Sequence, residues 1–183
     1  SLVKAYSANN NVVGWLYIPG TNINTPVVQT KDNNYYLRNN FYGSNTNYGT
    51  AYADYRCKKN TLSTNTVIYG HNMKDGTMFG SIVKYKEQSY FDSHPIMYYL
   101  TPDKSFKIEL LAGYVTPRDS EVYNKSFGTQ DPLDKFMESV IKKSTFKSNS
   151  EYVVEDKLIT LSTCSYEYSN ARYVIIGKLN IIE

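Results

Sequence analysis

Apolar positions along this chain fall in short runs separated by polar turns. Gly14-Trp15-Leu16-Tyr17-Ile18 is closed by Pro19-Gly20, a turn pair. Ile23 and Pro26-Val27-Val28 continue in strand style, and residues 29–50, rich in Asn, Tyr and Gly, read as a long connection. Thr66-Val67-Ile68-Tyr69 is a β-branched strand that ends at Gly70-His71. Ile96–Leu100 and Phe106–Val115 flank Thr101-Pro102-Asp103-Lys104, which has turn chemistry and predicts a hairpin. Residues 131–147 break the pattern. Leu133, Phe136, Met137, Val140 and Ile141 share one helical face, with Asp131 placed to cap and Pro132 at the first helical position. Tyr152-Val153-Val154, Leu158–Leu161 and Tyr173–Ile176 read as further strand runs. Residues 1–11 read as a short polar helix or arm, with Leu2, Val3 and Tyr6 on one face. The pattern predicts one β-barrel or sandwich with a helix inserted before the last two core strands.

Composition adds little to that picture. The chain has 183 residues, 41% of them hydrophobic and 20% charged, which fits one globular domain and excludes wholesale disorder. The 19 Tyr suit a β-rich surface. The net charge of +3 is spread out, with short clusters at Arg56/Lys58/Lys59 and Lys142/Lys143/Lys147. No basic stripe alternates with stacking aromatics, so no nucleic-acid partner is expected. No run approaches ~18 apolar residues, and no stretch of this sequence reads as a signal peptide.

The small counts matter more. Two Cys and two His lack zinc-ligand spacing, so thiol and imidazole chemistry has four candidates: Cys57, His71, His94 and Cys164. Cys164 ends the run Leu158–Cys164, and Arg172 begins the next strand eight residues on. A turn of that length brings adjacent strand ends together, so the guanidinium can lie beside the sulfur. The bland alternative is a buried small hydrophobe. His71 also ends a strand, and a plain loop histidine is its alternative. His94, before Pro95, reads as surface loop, and Cys57 as a strand-edge thiol. A Cys57–Cys164 disulfide stays open as a third possibility.

These residues resemble a known family. Thr160-Leu161-Ser162-Thr163-Cys164 followed by Arg172 is similar to the sortase signature TLxTC…R, and Tyr69–Phe79 resembles the histidine segment of class B sortases. The likeness runs from the Gly14-Trp15 strand to Ile182. It implies a mainly β fold: a closed eight-stranded barrel with an N-terminal helix and a helix between the sixth and seventh strands. It implies a single catalytic domain over 1–183, with 1–11 as a helical arm and a membrane anchor expected before Ser1. The implied activity is that of a cysteine transpeptidase on the outer face of the Gram-positive cytoplasmic membrane. Such an enzyme cuts a sorting signal, NPQTN-like or (L/S/P)PxTG-like, after Thr. It then joins the Thr carbonyl to an amine of peptidoglycan or lipid II.

By that resemblance Cys164 is the nucleophile, His71 the general acid/base, and Arg172 the group that binds substrate carbonyls and the oxyanion. Ser162 and Thr163 are implied substrate contacts, joined by Asn33, Leu37 and Tyr123 on a looser alignment. No cofactor and no metal are expected. Where some class B members carry an acid after the Cys, this chain has Ser165, and Glu167 nearby is assigned no role. The chemistry is consistent, because acyl transfer needs a nucleophile, a proton shuttle and an oxyanion donor. At reference pKa values only about 1% of a thiol and imidazole pair is thiolate–imidazolium, so modest activity with a bell-shaped pH profile is expected. Two other readings compete: a cysteine hydrolase using water, and a non-enzymatic barrel with a Cys57–Cys164 disulfide.

Overall fold

The structure, a computed structural model, describes every residue except 62, 125, 127 and 183. Helix α1 (Leu2–Ala8) leads into strands β1 (Val12–Tyr17) and β2 (Asn24–Val28). Helix α2 (Tyr35–Arg38) and the two-residue β3 (Tyr52–Ala53) occupy the stretch after them. Then come β4 (Asn65–Tyr69), a 3-10 segment (Gly80–Lys86), α3 (Gln88–Ser93), β5 (Ile96–Leu100) and β6 (Ser105–Pro117). Helix α4 (Gln130–Lys143), β7 (Leu158–Cys164) and β8 (Ala171–Ile181) complete the order. The strands close in the order β1-β2-β3-β4-β7-β8-β6-β5, with β5 returning to β1. The fold is therefore the closed eight-stranded barrel, not a sandwich, and α4 lies between the sixth and seventh strands.

Two apolar layers explain why the last strands read as unbroken hydrophobic runs. Side chains of a strand alternate between its faces. Ile159, Leu161, Tyr173 and Ile175 pack in one cluster with Leu16, Ile68, Met97 and Ile108. Leu158, Val174 and Ile176 pack in a second cluster with Val67, Tyr114 and the buried stripe of α4. Both faces are covered, so both must be apolar.

The inserted helix differs from its expected form. It starts at Gln130 with Thr129 at the N-cap, so Asp131 lies in the first turn and Pro132 is third. A carboxylate there suits the helix dipole, and the missing proline N–H is among those without an intrahelical partner. The helix stops at Lys143 because Thr145 N–H donates to the Gly113 carbonyl of β6. Leu133, Phe136, Met137 and Val140 are buried, whereas Ile141 is 52% exposed and lies outside the stripe.

Tyr152-Val153-Val154 is not a strand. The Val154 N–H is taken by the Gln130 side chain, and Val153 and Asp156 close a turn. His94 is no free surface residue either. It ends α3, stacks on Tyr90 at 4.0 Å, and its Nδ1 meets the Tyr90 carbonyl. Cys57 lies outside any strand, is buried, and donates its thiol hydrogen to the Asn65 carbonyl.

Candidate active site

Register places the three chemical residues at one end of the barrel. Strands β4 and β7 run parallel with Tyr69 opposite Ser162, and β7 pairs antiparallel with β8 so that Cys164 faces Arg172. Two residues beyond Tyr69 and Ser162, His71 and Cys164 come level at the ends of neighbouring strands. Three bonds carry the pairing past the ladder. Gly70 N–H donates to the Ser162 carbonyl (3.1 Å), Thr163 Oγ1 to the Gly70 carbonyl (2.7 Å), and Asn72 Nδ2 to the Cys164 carbonyl (3.0 Å). The two-residue period puts Ser162 and Cys164 on one face, with Arg172 beside them on β8.

His71 is held from a second direction. Its Nε2 lies 2.6 Å from the Leu37 backbone carbonyl at α2. A carbonyl only accepts, so this contact assigns the proton of a neutral ring to Nε2 and leaves Nδ1 open for proton traffic. Close approach of the chain makes room for the ring. Gly49 has φ +61°, and a Cβ there would fall 2.6 Å from the Tyr36 carbonyl and 3.0 Å from His71 Cδ2.

A groove of about 440 Å³ opens over these residues. Cys164, His71, Arg172, Ser162, Thr163, Asn33, Leu37 and Tyr123 all line it, whereas Cys57 and His94 do not. Ser162 is 1% exposed, and its hydroxyl shares a 2.8 Å hydrogen bond with the Tyr123 hydroxyl. Thr163 is 2% exposed, its hydroxyl committed to Gly70. Cys164 is half-buried, and neither cysteine is in a disulfide, so the Cys57–Cys164 bridge does not form.

Tyr52, Tyr69, Arg118 and Asp119 also line the groove and were not read from the sequence. The signal for Tyr69 was available: it ends β4, two positions before His71. Tyr69 packs between Tyr52 (5.2 Å, tilted by 31°) and Tyr123 (5.9 Å, stacked), forming an aromatic wall. Burial pushes the Tyr52 and Tyr123 hydroxyls up to about 12, so they stay neutral donors.

The loop after Cys164 is fastened away from the groove. Lys86 Nζ donates to Ser165 Oγ (2.8 Å) and pairs with Glu167, and Ser165 Oγ donates to Glu167. Partial burial pushes the Glu167 carboxyl up, but Lys86 and Ser165 outweigh it and hold the carboxyl at about 2. The position after the Cys thus carries a hydroxyl turned toward Lys86.

A thiol, an imidazole with one nitrogen open and a guanidinium lining one groove are the parts of a cysteine acyltransferase. The Sortase domain family matches residues 16–180 of the chain. Sortase B of Listeria monocytogenes is 38% identical over 173 residues, covering 93% of this chain and 70% of that protein. The Staphylococcus aureus sortase B–substrate complex superposes with a TM-score of 0.92 at 28% identity, over 100% of this chain and 85% of that one. Clostridium perfringens sortase B superposes with a TM-score of 0.89 at 30% identity, over 98% and 100%. The chain belongs to the sortase family, in class B. It is a cysteine transpeptidase of the kind that anchors surface proteins in the Gram-positive cell envelope.

Proposed function

We propose that this transpeptidase cleaves a C-terminal sorting signal after Thr and passes the acyl group to an amine of peptidoglycan or lipid II. The Cys164 thiolate attacks the Thr carbonyl, and the carbonyl π electrons move to oxygen, where Arg172 stabilises the charge. His71, protonated at Nδ1, gives that proton to the departing amine as the C–N bond breaks. A thioacyl enzyme remains. The incoming amine attacks it, Nδ1 takes the amine proton, and the C–S bond breaks to regenerate the thiolate. Asn33, Leu37, Tyr123, Ser162 and Thr163 form the groove that holds the peptide, with Ser162 acting through the Tyr123 hydroxyl and Thr163 through the strand pairing.

The observation that carries this reading is the pairing of Cys164 with Arg172, level with His71, in one groove. No helix among the described residues is long and apolar enough to cross a membrane. A membrane anchor N-terminal to Ser1 and a site on the outer face of the cytoplasmic membrane complete the proposal. The test is a panel of fluorescent peptides, NPQTN-like and (L/S/P)PxTG-like, with and without an amine acceptor. Ligated product that grows with amine supports the proposal; cleavage insensitive to amine makes the protein a hydrolase.

A further inference from the structure

Asp54 lies behind the groove with 0% exposure and is not part of its lining. Five hydrogen bonds meet its carboxylate. Arg56 supplies three: Nε and the backbone N–H to Oδ1 and a terminal guanidinium nitrogen to Oδ2, each at 2.9 Å. The other two come from groove-lining residues. Tyr69 Oη donates to Oδ2 at 2.8 Å, and Asn33 Nδ2 donates to Oδ2 at 3.2 Å. Tyr69 belongs to β4, two residues before His71, and Asn33 to the loop before α2. One carboxylate therefore ties together two segments, 33–37 and 69–71, that both line the cleft.

The orientation of the Asn33 amide follows from its partners. The Tyr55 N–H, 2.9 Å away, only donates, so Oδ1 faces it. A carboxylate only accepts, so Nδ2 faces Asp54. One Nδ2 hydrogen is left over, on a side chain that lines the groove. We infer that Asp54 is a positioning residue of the cleft, fixing the Tyr69 ring and aiming the spare Asn33 N–H at a carbonyl oxygen of the bound peptide. The identity of that peptide rests on the transpeptidase reading; the positioning does not.

A carboxylate is the right group for this task. Charged acceptors make stronger bonds than neutral ones and can serve several donors at once. Burial pushes the Asp54 carboxyl up, but Arg56 and the Tyr69 hydroxyl outweigh it and hold it at about 2. An amide at this position offers one acceptor oxygen and must turn its NH2 toward either Arg56 or the Tyr69/Asn33 pair.

The test compares wild type, Asp54→Asn and Tyr69→Phe. Melting curves establish folding, and steady-state kinetics use one sorting peptide and one amine. In Asp54→Asn, KM for the peptide is expected to rise about tenfold while kcat falls less than about threefold. Tyr69→Phe keeps its stacking and loses one arm, so KM rises about threefold. A folded Asp54→Asn with unchanged KM overturns the inference. If Asp54→Asn does not fold, unchanged KM in Tyr69→Phe overturns it. An activity-free readout is the pair of Asn33 side-chain amide protons in a 15N-labelled sample. They are expected to be shifted and protected in wild type and solvent-like in Asp54→Asn. Should wild type convert no peptide, the transpeptidase reading falls and these amide signals alone decide: identical signals in both proteins overturn the positioning role.

Discussion

Ser162 and Thr163, the expected substrate contacts beside the nucleophile, both line the groove, and their hydroxyls are bonded within the protein, one to Tyr123 and one to Gly70. No local pattern marks the tie of Asp54 to the groove, because the partners that carry it, Asn33 and Tyr69, are 21 and 15 positions away in the chain. Its electrostatics give a prediction. The folded carboxyl sits at about 2 and an unfolded Asp titrates near ~3.9, so the folded state binds fewer protons between these values. Stability from this group is complete above about pH 4 and is lost as the pH falls toward about 2. The shift corresponds to about 2–3 kcal/mol. Urea midpoints at about pH 5 and pH 3 should therefore fall together more steeply for wild type than for Asp54→Asn. Equal slopes would show that the carboxylate gains nothing from its partners. Glu167 has the same sign and window, but its exposure to solvent makes its contribution small.

At the scale of elements, strands with both faces covered were legible, and so was the α4 stripe up to its last member. The hairpin of β5 and β6 was legible from its turn, and Thr101 N–H does donate to the Lys104 carbonyl. The connection over 29–50 was not resolved into parts. Helix α2 has four residues, and the strand after the connection, β3, has two. Elements that short carry no periodicity, and their placement comes from distant partners such as His71 and Asp54. Gly49 shows the cost of that arrangement. Gly49→Ala puts a Cβ against the Tyr36 carbonyl at positive φ, a strain of about 1–3 kcal/mol. Relief of that clash moves the Leu37 carbonyl and the His71 ring. A displacement of about 1 Å costs on the order of a hundredfold in rate, so kcat should drop far more than the melting temperature indicates. Kinetics at a temperature where the variant is fully folded check this, and normal turnover there would exclude the role. The loop after Cys164 makes the opposite point. Glu167→Gln loses a half-exposed ion pair worth little, so turnover should stay within about twofold of wild type. A loss close to that of Cys164→Ala would make Glu167 part of the chemistry.

For the whole molecule, the neighbouring placement of β4, β7 and β8 in the barrel is what brings residues 71, 164 and 172 to one rim. The TLxTC…R pattern and the histidine segment made that rim legible before any geometry, because each motif contains a strand end and its reactive residue together. The groove walls were legible only in part, since the groove is assembled from six separate stretches of chain whose meeting depends on strand order. The central claim is a thioacyl intermediate on Cys164 that an amine resolves. Intact-protein mass spectrometry of the enzyme mixed with a sorting peptide tests it most directly. The expected result is an adduct with the mass of the peptide portion ending in Thr, absent in Cys164→Ala and discharged by added amine as ligated peptide appears. Peptide cleavage by Cys164→Ala, or cleavage by wild type with no adduct and no ligated product, would contradict it.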